Sequence, residues 1–527
     1  MKRRDFIKTT GLTSSAVMLG GMNIAKGAPI FEQFASLAKV EDRKLILIFL
    51  NGGNDGLNTL IPLDQYGNLY NARENVLVPE NMILKLKDEV GLHPAMQGMK
   101  ELYDEGKLHV LQSVGYPQPN FSHFRSTDIW TSASDSNKVV SSGWLGRELY
   151  TKHPTYPTNY PNSDYLDPLS ITYGPFVSPT CQGPSLGMGM AITPNAQGQI
   201  DIYNINSGGI DEAPATPAGD ELEYVRQIIN QTQLYGDTLE STFEKGGSLM
   251  SNKWDSATDG NRLIGQLKVT AQLIAGGSKT RVFVHSLGGF DTHANQVQTA
   301  GQVEGAHDQL LRMVSESVAA FQDEMKLQNM EDSVVGMTFS EFGRRILSNA
   351  SNGTDHGSAA PLFVFGSNVI PGVQGTNPVI PANATVQDNL PMQFDFRSIY
   401  ASLLKDWFEV EENDLNNIML GEFQHLDIIK TSGTTNINTT LEDNDLQIYP
   451  NPMNGSGGNV KLKTESGMTI ISLYNSRGQE VKRLFEGMTI SATKELQFNT
   501  NGLNSGNYHL RLQTGNKQIV KPVKVVK

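Results

Sequence analysis

Apolar runs and amphipathic segments alternate along residues 41–430 of this 527-residue chain. Short continuous apolar runs predict strands that are buried on both faces of a sheet. They are RKLILIFL (43–50), KLHVLQSV (107–114), RVFVHSL (281–287), SVVGMTFS (333–340) and APLFVFG (360–366). Segments with helical periodicity, such as NRLIGQLKVTAQLIAGG, lie between them. This alternation predicts an α/β domain with a doubly wound, mostly parallel sheet.

The pattern changes in two other parts of the chain. Residues 155–220 are rich in Pro, Gly, Asn and Tyr, which predicts a loop-rich excursion from the core. TSGTTNINTTLEDND (431–445) is polar and has no hydrophobic period, which predicts a linker. Residues 446–527 alternate with period two between turn signals such as NSRG and NTNGLNSG, which predicts a small all-β sandwich domain.

The first 28 residues predict an export signal peptide. MKRRDFIKTTGLTSSAVMLGGMNIAKGA has a basic start, an uncharged run and small residues before a cleavage point. Arg3 and Arg4, followed by Asp-Phe-Ile-Lys, resemble a twin-arginine signal. The uncharged run is too short to span a bilayer as a mature helix, and the sequence predicts no transmembrane anchor.

The charge distribution and the cysteine content argue against nucleic-acid binding, an internal disulfide and a reactive thiol. The net charge is −13; residues 446–527 carry 11 basic and 4 acidic side chains, so they contribute +7 and the remainder about −20. A body this acidic predicts no binding to nucleic acid. The single cysteine, Cys181, excludes an internal disulfide, and it lacks the nearby basic partner that a reactive thiolate needs.

Polar side chains follow the predicted strands at the point where each ends. They are Asp55 in NGGNDGLNT, Ser122 in NFSHFRST, Asp291 and His293 in GGFDTHANQ, Glu341 in SEFGRR, and Asp355 and His356 in NGTDHGS. Sites in open α/β sheets form beyond the carboxyl ends of strands, and carboxylates gathered there repel unless cations join them. We therefore expect one or two divalent ions, either Zn or Mn, Mg or Ca.

Several of these side chains have a purely structural alternative. Asp55 could cap an Asx turn, and Ser122 could cap a helix rather than act as a nucleophile. Ser126 is a rival nucleophile, and His123 is a possible base. Arg125 and Arg344 are candidates for holding an anionic group.

The chain also resembles known families. LILIFLNGGNDGLNTLIPL, the histidine of LHPAM, VGYPQPNFSHFRSTDIW, GGFDTHANQ, FSEFGRR and GTDHGSAAPLFVFG occur in this order and resemble the domain-of-unknown-function family 1501 over roughly 41–430. That family is similar to the alkaline phosphatase and sulfatase superfamily. The resemblance implies an alkaline-phosphatase-like doubly wound sheet, two metal sites and a Ser, Thr or modified Cys nucleophile at a helix start.

The C-terminal segment resembles a secretion signal. IYPNP, LYNSRGQEV, LNSGNYHLRL and a lysine-rich end resemble the type A sorting domain of the type IX (Por) secretion system of Bacteroidetes. This resemblance implies the type IX machinery as a partner. We expect passage through the periplasm to the cell surface or the extracellular space.

The superfamily pattern carries over onto part of the predicted site. Asp55 matches the first-strand aspartate, and Ser122 matches the nucleophile. Asp291 and His293 match the Asp and His of one metal site, although they are two residues apart where the superfamily often has four.

Two alignments compete for the remaining ligands. In the first, Asp355 and His356 are the adjacent pair that follows a strand. In the second, Ser340 and Glu341 take that place, and His356 is the late histidine. The second is favoured because Glu341 directly follows its strand. Glu341 has no adjacent histidine, and this alignment therefore weakens the second metal site.

Two functions follow as hypotheses. The first is a secreted, metal-dependent hydrolase of phosphate or sulfate esters, with Ser122 activated by the metal and a small anionic ester or glycan as substrate. The alternative is a non-catalytic surface or envelope binding protein that keeps the fold with degraded metal sites. The fold alone does not distinguish them.

Overall fold

The structure is a computed structural model that describes residues 40–87, 89–193, 213–300, 303–431, 446–454, 457–464, 467–475, 480–489, 492–514 and 517–526. The chain divides into two compact units, Met1–Ile429 and Lys430–Lys527. The predicted signal peptide (1–28) and residues 432–445 of the predicted linker lie outside the described residues. The exact domain boundaries drawn from the sequence stay predictions.

The first unit combines strands and helices along its whole length. Its strands are β1 (Lys44–Asn51), β2 (Leu60–Pro62), β3 (Leu84–Lys87), β4 (Val90–Leu92), β5 (Leu108–Gly115), β6 (Ser170–Tyr173), β7 (Met190–Ile192), β8 (Val282–Gly288), β9 (Val334–Phe339), β10 (Arg344–Ser348), β11 (Thr354–His356), β12 (Ala360–Phe365), β13 (Gly372–Gln374) and β14 (Phe394–Asp395). Its α-helices are α1 (Gly56–Thr59), α2 (Tyr66–Arg73), α3 (Gln97–Asp104), α4 (His123–Ser132), α5 (Trp144–Lys152), α6 (Pro217–Gly246), α7 (Ile264–Ala275), α8 (Ala306–Leu327), α9 (Phe396–Ser402) and α10 (Glu412–Met419).

One mixed sheet forms the centre of this unit. Its strand order is β13-β5-β12-β9-β1-β8-β6-β7, and β14 also pairs with β5. The five predicted strands are β1, β5, β8, β9 and β12. All pairings are parallel except those of β12, which is antiparallel to β5 and β9. The mostly parallel sheet is confirmed. The antiparallel direction of β12 could not be predicted, because an apolar run that is buried on both faces fits a strand of either direction.

Helices cover both faces of the sheet, as a doubly wound fold requires. Alternate residues of β1 point to opposite sides: Leu45 and Leu47 belong to one core, and Ile46 and Ile48 to the other. The first core also contains residues of α4, α5, α9 and α10. The second contains residues of α3, α6, α7 and α8. Burial on both sides explains why β1 has no polar face.

The segment predicted as loop-rich contributes two strands to the sheet. β6 and β7 extend the edge beyond β8, and β6 pairs with β8 in parallel. They contain four and three residues, which is too short for a period to stand out from the surrounding Pro and Gly.

The second unit is all β, which confirms the predicted class of the C-terminal domain. Its strands are β15 (Leu446–Asn454), β16 (Gly457–Thr464), β17 (Gly467–Asn475), β18 (Glu480–Thr489), β19 (Ala492–Phe498), β20 (Gly506–Thr514) and β21 (Lys517–Val525). They follow the order β18-β17-β20-β21-β15-β16-β19 around a core that includes Leu446, Ile471 and Leu510. In the described part of either unit, no helix has both the length and the apolar character that crossing a membrane requires.

Candidate metal centre

Four side chains from three parts of the sequence meet at the carboxyl ends of the sheet strands. His123 begins α4 after β5, Asp291 and His293 follow β8, and His356 ends β11. The Nε2 atoms of His293 and His356 are 2.8 Å apart, and each lies 3.1 Å from Asp291 Oδ1. His123 Nε2 lies 3.5 Å from Asp291 Oδ2. We call these four residues the His3Asp cluster.

A glycine allows the strand ends to approach one another. Gly52, in the turn after β1, has a φ of +127°, which side-chain-bearing residues rarely adopt. A Cβ atom there would lie 2.3 Å from the main-chain nitrogen of Asp291. The GG of the NGGND motif therefore permits the close contact between the β1 turn and the β8 loop that places Asp291.

Each histidine of the cluster has its second ring nitrogen bound to an oxygen acceptor. His356 Nδ1 lies 2.8 Å from the carbonyl oxygen of Phe121. His123 Nδ1 lies 2.9 Å from Glu341 Oε1, and His293 Nδ1 lies 3.0 Å from Asp355 Oδ1. A carbonyl or carboxylate oxygen only accepts, so Nδ1 carries the proton in each ring. The Nε2 lone pairs then face the interior of the cluster.

This arrangement fits a metal ion. Three imidazole lone pairs face one carboxylate, and burial lowers the pKa of His356, which disfavours its protonated form. Ligands around a tetrahedral zinc ion with bonds of about 2.1 Å are about 3.4 Å apart, and four contacts within the cluster measure 2.8, 3.1, 3.1 and 3.5 Å. His123, Asp291 and His356 form the set whose ligand atoms all lie within 4.8 Å of one another. Second nitrogens held by carboxylates and a carbonyl are the usual support of histidine ligands.

The structure holds His123 and His293 in place through two carboxylates of different exposure. Glu341 is fully buried and also accepts hydrogen bonds from the Gly52 amide, at 2.9 Å, and from Ser340 Oγ, at 3.2 Å. Asp355 is 53 % exposed and also accepts from Asn349 Nδ2 at 3.2 Å. Both were predicted as metal ligands, whereas in the structure they bind the far side of the histidine rings.

Arg344 supports Asp291 from beneath the cluster. Its buried guanidinium donates to Asp291 Oδ1 at 2.7 Å and to the carbonyl oxygens of Gly52, Gly53, Phe290 and Thr354. Burial tends to raise the pKa of Asp291, but its contacts with Arg344 and His356 outweigh burial and lower the pKa to about 2. The sequence suggested Arg344 for an external anion; in the structure its donors are used within the fold.

Asp55 lies apart from the cluster, in a buried ion pair. Its Oδ1 accepts from Arg73 Nη1 at 2.9 Å and its Oδ2 from Gln296 Nε2 at 2.6 Å. The side chains of Asp55 and Arg73 are both fully buried. Burial alone would raise the pKa of Asp55, yet the Arg73 charge keeps it below its usual value. Both carboxylate oxygens are thus engaged by Arg73 and Gln296, although the sequence predicted Asp55 as a ligand.

The side chains around the predicted nucleophile differ in their exposure and in their hydrogen-bond partners. Ser122 is exposed at the N-cap of α4, and its hydroxyl does not cap the helix. Ser126 is buried and bonds Tyr116 and the carbonyl oxygen of Glu341, so it has a structural role. Arg125 donates to the carbonyl oxygens of the loop at 135–138.

His123 is the member of the cluster that the sequence reasoning did not predict as a ligand. The sequence indicates His123 only as a possible base beside Ser122. Its position in the segment that follows β5 was a usable signal, since His293 likewise lies in the segment that follows β8. The signal could not be decisive, because the direction of a side chain on the first turn of α4 depends on how the helix packs.

Two family models match the chain. Residues 233–418 match the family described as "Protein of unknown function (DUF1501)", and residues 447–527 match the "Secretion system C-terminal sorting domain". The first match includes Asp291, His293 and His356 but not His123. The second indicates export through type IX secretion to the cell surface or the extracellular space. No curated protein sequence matches the chain.

Solved structures that are similar to the chain include members of the alkaline phosphatase and sulfatase superfamily. A protein of the alkaline phosphatase superfamily from Vibrio parahaemolyticus is 10 % identical, with a TM-score of 0.31 and coverage of 92 % of this chain and 83 % of that one. PsFucS1 sulfatase from Pseudoalteromonas sp. is 11 % identical, with a TM-score of 0.33 and coverage of 90 % and 88 %. PorZ, a surface component of the type-IX secretion system of Porphyromonas gingivalis, is 17 % identical over 19 % of this chain and 14 % of its own length, with a TM-score of 0.14.

Proposed function

We propose that this protein binds one divalent transition metal at the His3Asp cluster and hydrolyses phosphate or sulfate esters there. The observation that carries the proposal is the convergence of three Nε2 atoms on Asp291, with every Nδ1 atom held by an acceptor. Imidazole-rich sets favour Zn, Mn or Fe over Ca or Mg, which prefer oxygen ligands. When bound, such an ion stabilises negative charge on the transferring group and acidifies a nearby hydroxyl.

The other carboxylates at the rim already have hydrogen-bond or ion-pair partners within the protein, which favours a single metal ion. Asp55 is neutralised by Arg73, and Glu341 is used by Gly52, Ser340 and His123. No second group of three such ligands occurs among the described residues. We therefore propose that guanidinium groups replace a second ion as counter-charges at this rim.

Ser122 is the proposed nucleophile. It is the residue between Phe121, whose carbonyl oxygen bonds His356, and His123 of the cluster. Its hydroxyl is not used as a helix cap, and the N-terminal end of α4 favours negative charge on a nearby group. Asp291 is held by Arg344, His123 by Glu341 and His293 by Asp355, so the cluster is positioned before substrate arrives.

The test is Ser122→Ala in the metal-loaded full chain, assayed with aryl phosphates and aryl sulfates. We expect turnover to fall by about 10³-fold or more while the metal content stays unchanged, because Ser122 is no ligand in this proposal. Ser256→Ala removes another exposed serine, outside the centre, and serves as the control. Unchanged turnover in Ser122→Ala would exclude the serine as nucleophile.

One observation favours the non-catalytic alternative. Arg125 and Arg344, the two predicted anion-binding residues, donate to main-chain carbonyl oxygens within the fold. A binding protein with a structural metal would not need a free cation for the transferring group. Bound metal without turnover of any phosphate or sulfate ester would support this alternative.

A further inference from the structure

A cavity lies at the amino ends of the parallel strands β1, β8 and β9, whereas the His3Asp cluster lies at the carboxyl ends of the sheet strands. Its volume is about 440 Å³, and its lining includes Asp42, Lys44, Ile274, Lys279, Met330 and Asp332. Lys44 begins β1, Lys279 precedes β8, and Asp332 lies in the turn before β9. This volume falls within the range of about 300–1,000 Å³ that is typical of small-molecule sites.

The ammonium group of Lys44 in the wall of this cavity is buried without a carboxylate partner. Lys44 is only 5 % exposed, and its Nζ donates to the main-chain carbonyl oxygen of Asp42, another lining residue, at 2.9 Å. Within the described ranges of the chain, Lys44 forms no ion pair, since the Asp42 carboxylate pairs with Lys279. An ammonium group has three donors, so two of them lack an acceptor among the described residues.

The charges around Lys44 do not offset its own. The Asp42 carboxylate is engaged by Lys279, and Asp332 accepts a hydrogen bond from Ser367 Oγ at 3.0 Å. Burial lowers the pKa of Lys44 to about 8; Lys279 contributes to this shift and Asp42 opposes it. At neutral pH the group is therefore still mostly protonated. A buried charge without a partner is costly, and a bound anion would offset that cost.

We propose that this cavity binds a small organic monocarboxylate, with Lys44 as its counter-charge. One unpaired ammonium group matches one negative charge, whereas Asp42 and Asp332 in the wall repel a polyanion such as phosphate. Ile274 and Met330 provide apolar surface for the alkyl part of the ligand. This inference is independent of the proposed hydrolysis, because it uses no residue of the His3Asp cluster.

The test is a ligand-detected NMR titration of the full chain with butanoate, its neutral analogue butanamide, and inorganic phosphate. We expect butanoate to bind with a Kd of about 1 mM, and butanamide at least about tenfold more weakly, because it lacks the charge that pairs with Lys44. The titrations are repeated in His356→Ala, in which the metal centre does not contribute. There we expect an unchanged Kd for butanoate and at least about tenfold weaker binding of phosphate.

Lys44→Met removes the charge and keeps most of the side-chain volume. We expect the Kd for butanoate to rise at least about tenfold. The free energy of unfolding should stay the same or increase, because an apolar side chain in place of a buried charge is often neutral or stabilising. The control is Lys100→Met, which removes an exposed lysine of α3 and should keep the wild-type Kd.

Three results would overturn the proposal. They are the absence of saturable butanoate binding to the wild type, an equal Kd for butanoate in Lys44→Met, and binding of phosphate to His356→Ala as tight as that of butanoate. If Lys44→Met did not fold, the comparison of butanoate with butanamide in His356→Ala would decide, because equal affinities for the two would exclude a counter-charge in the cavity. Loss of ester turnover has no bearing on any of these results.

Discussion

His356→Ala is expected to abolish stoichiometric metal binding and, with it, ester hydrolysis. The substitution removes the Nε2 atom that lies within 3.1 Å of both His293 Nε2 and Asp291 Oδ1. Loss of a residue that only supports a metal ligand typically costs 10–100-fold in affinity, so loss of a ligand should cost at least about 100-fold. Metal content after dialysis, measured by mass spectrometry, gives the result directly.

His425→Ala is the control for this variant. His425 is also partly exposed and hydrogen-bonded to a carboxylate, Asp406, at 2.8 Å, but it follows α10 and is no part of the cluster. We expect the His425→Ala variant to keep its metal and its activity. If His356→Ala retained the wild-type metal content, the cluster would not be the metal site.

Arg73→Met is expected to destabilise the first unit by about 3–5 kcal/mol, the usual cost of removing one partner from a buried ion pair. It leaves the Asp55 carboxylate buried with Gln296 as its remaining side-chain donor. The double variant Arg73→Met/Asp55→Asn removes the uncompensated charge and should recover part of the loss. Because neither residue is a ligand in this account, the double variant should still bind one metal ion.

Urea unfolding followed by tryptophan fluorescence measures this effect on the first unit alone. All four tryptophans, Trp130, Trp144, Trp254 and Trp407, lie in Met1–Ile429. Lys100→Met breaks the exposed Lys100–Asp104 pair of α3 and should cost less than about 1 kcal/mol. An equally small loss in Arg73→Met would show that the Asp55 pair contributes no more than a surface contact.

The sequence was sufficient for the main elements of the fold. The apolar runs that became β1, β5, β8, β9 and β12 are buried on both faces, and such runs have few alternatives to a central strand. The short edge strands β6 and β7 were missed because three or four residues carry no detectable period. The antiparallel direction of β12 was also beyond the sequence, since its residues satisfy either direction equally well.

For the candidate site, the sequence identified the rim but not the partners within it. Residues that lie after the strands of the sheet come together at its rim, and this rule predicts His293 and His356 as members of the site. The partner of Asp55 is Arg73 of α2, and no sequence motif around Arg73 predicts an ion pair with the turn that follows β1. Arg344 likewise became an internal donor because five oxygens happen to surround it once β10 has paired with β11.

We propose that the strand ends hold one ion, at His123, Asp291, His293 and His356. Quantitative metal analysis of the purified full chain, after loading with Zn or Mn and exhaustive dialysis, tests it most directly. We expect one equivalent per chain, which is lost in His356→Ala and retained in Arg73→Met/Asp55→Asn. Two equivalents, or none, in the wild-type protein would contradict it.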